Sequence, residues 1–295
     1  MNPDASRRRE LGEFLKARRR RLVRAELGLP LGFRKGASGV RREEVSSLSG
    51  VSMTWYSWLE QGREMKPSRQ VLDAIARTLK LSAVEHAYIL SLAGYSAPPS
   101  LSEQCPQGPP AHVQRLLDAL GGFPAFALAL DWTVAAWNEA YAAVYRDLSK
   151  VPAADRNLLW LIFTDPYLRE MLPDWEFMSR RCLAQFRGES GPRLGQPSFS
   201  RLVTRLLDAS EPFRAGWESH DIEWIAVRRR IFHHPVAGEL HLEQHCLAQA
   251  EHPHLRLVIY TPVLTTDTLE RLRRLCVGPA GRRNASAYPD TSLSE

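Results

Sequence analysis

The sequence predicts an α + (α+β) chain, in which a five-helix N-terminal domain precedes a domain of mixed helix and strand. Three observations carry that reading. Residues 41–62, R-R-E-E-V-S-S-L-S-G-V-S-M-T-W-Y-S-W-L-E-Q-G, read as two short helices about a glycine turn. Charge is unevenly divided: residues 1–96 hold 18 Lys/Arg against 10 Asp/Glu and the remainder 21 against 23, so the whole net +6 comes from the first third. Strand-like runs near 126–137 and 224–263 bracket a helical stretch at 152–217 that is rich in Trp and Phe.

Taken in order, residues 1–8 are expected to be disordered and 9–24 helical, with Leu11, Phe14, Leu15 and Leu22 near one stripe. Residues 27–39 form a Gly/Pro-containing loop with Arg34 and Lys35 at its tip, reaching a phosphate or minor groove or simply mobile. Residues 42–48 make a helix with Val45 and Leu48 as its apolar face; Gly50 breaks it and Ser52 caps the next. That helix turns Tyr56 and Leu59 inward and points Ser52, Met53, Thr54, Ser57, Trp58 and Gln61 away. Helix, turn and helix is either a DNA reader with its second helix in the major groove or an ordinary αα-hairpin. The positive charge confined to this module favours the reader. Helices at 68–79, capped by Ser68, and at about 83–93 complete the five.

Three segments, L-G-E-F-L-K-A-R-R-R-R-L at 11–22, the stretch from 41 to Arg63, and P-S-R-Q-V-L-D-A-I-A-R-T-L-K-L at 67–81, resemble the lambda-repressor-like, XRE-type helix-turn-helix. They are most similar to the actinobacterial-style regulators related to MmyB. The resemblance implies a homodimer on double-stranded DNA with a palindromic operator, its half-sites about one helical turn apart. It also implies that Arg19 pairs with Glu60 and fixes the first helix against the third. Ser52, Met53, Thr54, Ser57 and Trp58 are the candidate base readers, and Arg42, Gln61, Arg63 and Lys66 the candidate phosphate contacts. Met53 and Trp58 can press on a thymine methyl but offer no bidentate hydrogen bonds.

Residues 97–111, with Ala-Pro-Pro-Ser and Gly-Pro-Pro, read as a linker to a second domain at 112–277; 278–295 are expected to be a disordered tail. The second domain opens with a short amphipathic helix at 112–120, two strands turning at Asp131, and a helix capped by Asn138. Thr164-Asp165-Pro166 and Pro173-Asp174 start helices in the aromatic middle, and 190–197 is a Gly/Pro loop. Strands at 224–232, 239–247 and 255–263 close it. A-W-N-E-A at 136–140, N-L-L-W-L-I-F at 157–163, L-P-D-W-E at 172–176 and H-P-V-A-G-E-L at 234–240 resemble the PAS-like ligand-binding domain of the MmyB-type family. H-P-V-A-G carries one residue more than the expected H-P-x-G. The resemblance implies a small apolar, fatty-acyl-like ligand, for which Phe126, Trp137, Leu159, Phe163 and Trp175 are the candidate pocket.

Other classes are weakly served. Cys105, Cys182, Cys246 and Cys276 stand far apart with no C-x-x-C pair, which argues against a zinc site or disulfide framework and suits a cytoplasmic location. Neither a signal peptide nor an apolar run long enough to span a membrane is found. His241 and His245 are four apart, but on a strand that separation is roughly 13 Å, too far to share an ion, so no metal is expected. With no G-x-S-x-G, P-loop or G-x-G-x-x-G, neither enzyme nor cofactor is expected. Two alternatives stand beside a ligand-sensing DNA-binding regulator. In one, the second domain only dimerises; in the other, it is an enzyme joined to an autoregulatory DNA-binding domain.

Overall fold

A computed structural model of the chain describes residues 3–29, 39–95, 109–222 and 229–277. By contact the chain divides into two compact units, residues 1–100 with 179–225 and residues 101–178 with 226–295. Arg34, Lys35, most of the 97–111 linker and the 278–295 tail lie outside the described residues.

In the first unit, helix α1 (Pro3–Arg21) starts earlier than expected, so residues 3–8 are helical rather than disordered. Then come α2 (Arg42–Ser49), α3 (Met53–Glu60), α4 (Arg69–Thr78) and α5 (Ala83–Leu92). Ser52, Ser68 and Ser82 each cap a helix by accepting the backbone N–H three residues on. Gly50 turns the chain between α2 and α3 at φ +70°, which a side chain would strain. Phe14, Leu15, Val45, Tyr56, Leu72, Ile75 and Ile89 are sealed in one core. Leu48, expected inside beside Val45, is 47% exposed. A three-residue step turns it about 60° away from Val45, enough to leave the packed stripe.

The aromatic middle supplies the rest of this unit: most of α10 (Trp175–Ser190), a 3-10 turn at Gly191–Arg193, α11 (Pro197–Ala209) and α12 (Glu211–Glu218). Phe186 stacks on Phe199 at 5.5 Å, joining α10 to α11, and Phe199 meets the Trp217 ring at 6.4 Å, joining α11 to α12.

The second unit is built on an antiparallel sheet of order β2-β1-β5-β4-β3, from β1 (Ala125–Ala129), β2 (Val134–Trp137), β3 (Arg229–His234), β4 (Gly238–Ala248) and β5 (Leu255–Pro262). Helix α6 (Ala111–Ala119) packs Val113 and Leu117 on the small face made by Ala125, Ala127 and Ala136. Buried Asn138 joins the opening elements. Its Oδ1 accepts from Ala125 N and Tyr141 N, and its Nδ2 donates to the Leu117 and Phe123 carbonyls, so every polar atom is satisfied. It thereby caps α7 (Glu139–Val144). Asn157 does the same for α8 (Leu158–Thr164), and Asp165 for α9 (Pro166–Met171).

The 234–240 motif is the β3–β4 hairpin, with His234 paired to Gly238 and Pro235, Val236 and Ala237 in the loop. His234 is buried. Its Nδ1 accepts from Val236 N and Ala237 N while Nε2 donates to the Ala143 carbonyl, and burial lowers its basicity despite that bond. One element was not expected: α13 (Thr268–Val277), which buries Leu272 and accepts the His241 N–H on Thr268.

Candidate nucleic-acid interface

Helix α3 is held by its inner side and open on its outer one. Tyr56 and Leu59 are buried, while Ser52, Met53, Thr54 and Trp58 are exposed and Ser57 is half-buried. Met53 is 48% and Trp58 40% exposed, so neither side chain fills the core behind the helix. Trp58 carries the Arg63 guanidinium 5.4 Å from its ring centre, and Arg63 Nε donates to Gln61 Oε1 at 2.9 Å. The five candidate readers therefore share one outward patch, with Gln61, Arg63 and Lys66 exposed beyond its C-terminal end.

The angle of that patch is set from behind. Glu60, its side chain fully buried, receives Arg19 Nε at 2.6 Å and Arg42 Nε at 2.6 Å. Burial alone would raise the Glu60 pKa; hydrogen bonds and charge from Arg19 and Arg42 outweigh it and hold the carboxylate below its ordinary range. Gly12 lets α1 approach this end of α3, because a Cβ there would meet the Glu60 carbonyl oxygen at 2.5 Å. Arg19 thus takes the partner expected of it. Arg42, expected on a phosphate, spends one nitrogen on Glu60 and keeps its side chain 40% exposed.

An open cleft of about 460 Å³ adjoins Arg63 and Lys66 and is lined also by Arg7 and Arg8 of α1. Both lie in the first turns of α1, which carry no apolar stripe to mark a helix. Arg7 is paired to Asp4.

The five residues expected to line an apolar pocket all lie in the second unit, and the contacts bring two of them together. Phe163 meets Trp175 edge-on at 5.9 Å, and Trp175 Nε1 donates to the Ile162 carbonyl. Phe126 instead joins Tyr141, Tyr145, Phe232 and Tyr260 on one face of the sheet. Trp137 is half-buried beneath Arg156, and Leu159 is fully buried. Burial raises the Tyr145 phenol pKa, with the Tyr260 hydroxyl adding to the effect. Among the described residues, His112, Glu251 and His252 are the group whose ligand atoms converge, all within 4.8 Å of one another at the surface.

A family model for a helix-turn-helix domain matches residues 10–89. A second, for the MmyB-like transcription regulator ligand binding domain, matches residues 109–275, more than half of the chain. The chain belongs to the MmyB-like family. It is a ligand-responsive transcription regulator with a DNA-binding helix-turn-helix domain. Both matched domains of this MmyB-like regulator are those of a transcription factor rather than of an enzyme. A search of curated proteins returns no match. No described helix is long and apolar enough to cross a membrane.

Proposed function

We propose that this MmyB-like regulator acts in the cytoplasm as a homodimer that reads a palindromic operator and alters its DNA affinity on binding a small apolar, fatty-acyl-like molecule. The observation that carries the DNA reading is the α3 patch. Ser52, Met53, Thr54, Ser57 and Trp58 face outward together, on a helix whose other side is locked to α1 and α2 by the Glu60 pairs. Arg42, Gln61, Arg63 and Lys66 flank the patch as phosphate contacts, fixing register without reading sequence.

Support for an apolar ligand comes from Phe126, Trp137, Leu159, Phe163 and Trp175 lying in one compact unit rich in aromatic side chains. The close ring contacts of the same residues also favour a rival in which the domain is a solid dimerisation module. Selection from a random-sequence DNA pool with the full chain tests the first part: enrichment of an inverted repeat is expected, and loss of that enrichment in Trp58→Ala. Native mass spectrometry followed by denaturing extraction tests the second. A dimer carrying a few hundred daltons of extractable lipid per chain supports the sensor, and a dimer at bare mass supports the rival.

A further inference from the structure

The helices at 179–222 belong by sequence to the ligand-binding domain, yet they pack with the DNA-reading helices. At the centre of that packing is a buried cluster of charged and polar groups. Arg187 of α10 is 1% exposed. Its Nη1 donates to Glu10 of α1 at 2.7 Å and lies 3.0 Å from His220 Nδ1, its Nη2 donates to the Trp217 carbonyl, and its guanidinium lies 4.0 Å from the centre of the Trp217 ring. Tyr88 of α5 donates its hydroxyl to the same Glu10 oxygen at 3.0 Å. A shell of ion pairs surrounds the cluster. Arg18 of α1 lies 2.7 Å from Glu85 of α5, donates to the His220 carbonyl at 3.1 Å, and stands 3.7 Å from Asp221, which also pairs with Arg21.

A buried ion pair is weak support for stability by itself, since apolar side chains of like volume would hold two helices together as well. What it adds is a fixed register, because only one arrangement satisfies Arg187, Glu10, Tyr88 and His220 at once. It engages α1 and α5 and leaves the outer face of α3 free. Helix α10, which carries Arg187, also begins at Trp175, one of the residues proposed for the ligand pocket. Glu60, which orients α3, is paired to Arg19 on the same α1 that holds Glu10.

We propose that residues 179–222 are a coupling arm, docked on α1 and α5 through Glu10 and Arg187, whose docking sets the DNA affinity of the reader. This rests on the reading of α3 as the DNA-binding helix. A ligand that favours the docked or the released arm would then change DNA affinity by its difference in affinity for the two.

The test uses the full chain and the DNA selected by the wild type. Two variants release the arm: Glu10→Gln with Arg187→Met, which neutralises the buried pair, and Asp221→Lys, which turns a half-exposed partner of Arg18 and Arg21 against them and leaves the core intact. Hydrogen exchange in α12 is expected to quicken about tenfold in each while α3 and α4 keep their protection. Affinity for the selected DNA is expected to change about fivefold or more. A released arm with DNA affinity within twofold of wild type overturns the coupling, and unchanged exchange in both variants overturns the docking contact. Failure of the reading of α3 appears separately, as a wild-type chain that enriches no DNA.

Discussion

The cations beside α3 and those between α1, α5 and α10 are the same residue types in opposite settings. Arg63 and Lys66 are exposed at the end of the reading patch, and Arg63 rests on Trp58 and donates to the Gln61 side-chain amide oxygen. Arg187 and Arg19 are withdrawn from solvent onto Glu10 and Glu60. Exposed charge acts at a distance and is screened by salt, whereas a buried pair is little screened and leaves an uncompensated charge when one member goes. The first set should therefore show itself in DNA affinity and its salt dependence. The second should show itself in stability and the geometry of the reader.

The largest expected effect is on the buried side. Glu60→Ala strands Arg19 and removes one anchor of Arg42, and should destabilise the DNA-reading helices by about 3–5 kcal/mol. Urea unfolding of the full chain, followed by far-ultraviolet circular dichroism, measures it. A loss under about 1 kcal/mol, within the range of exposed pairs, would erase the contrast between the two regions.

Acid offers the next way to sharpen the comparison. Burial pushes Glu10 up, but hydrogen bonds from His220 and Tyr88 and the charge of Arg187 take its pKa from 4.5 down to about 2. A carboxyl with a lowered folded-state pKa contributes stability that is complete above pH 4.5 and is lost as pH falls from 4.5 toward about 2. That contribution is roughly 3 kcal/mol by linkage. Between those pH values, Glu10→Gln should show a shallower fall in stability than the wild type. Equal slopes would show that Glu10 is not held as an ion in the folded chain.

How much of this was legible beforehand followed the range of the interactions. The α2–α3 turn, the Ser52 and Ser68 caps and the inward Tyr56 and Leu59 are local, and the spacing of residue types marks them. The Arg19–Glu60 pair became readable through resemblance, since the two stand 41 residues apart. Glu10 and Arg187 are separated by 177 residues on two helices whose patterns show what is apolar but not which helix faces which. The same limit holds among the aromatic side chains, because ring type alone could not tell that Phe163 meets Trp175 while Phe126 joins Tyr141 and Tyr260. The start of α1 is hidden in the sequence because its first turns are polar and arginine-rich, and α13 lies between the last strand and the tail.

On the exposed side, Trp58→Ala removes both a candidate base contact and the platform under Arg63. It should weaken binding to the selected DNA by about 1–3 kcal/mol and leave unfolding within about 0.5 kcal/mol of wild type. Fluorescence anisotropy with a labelled duplex reads the first and urea unfolding the second. A stability loss to match the affinity loss would mean that Trp58 belongs to the core region after all.

The smallest effect belongs to Lys66, and Arg42 is its instructive neighbour. Lys66→Ala should lower the slope of log affinity against log salt by about 0.9, with no measurable change in stability, as for one phosphate contact. Arg42→Ala should do both things at once, because its Nε is bound to buried Glu60 while the side chain is 40% exposed. The salt slope should fall by a similar amount and stability should fall as well. If Arg42→Ala cost stability but left the salt slope unchanged, Arg42 would belong wholly to the buried set, and the phosphate contacts at this end of the reader would reduce to those beyond α3.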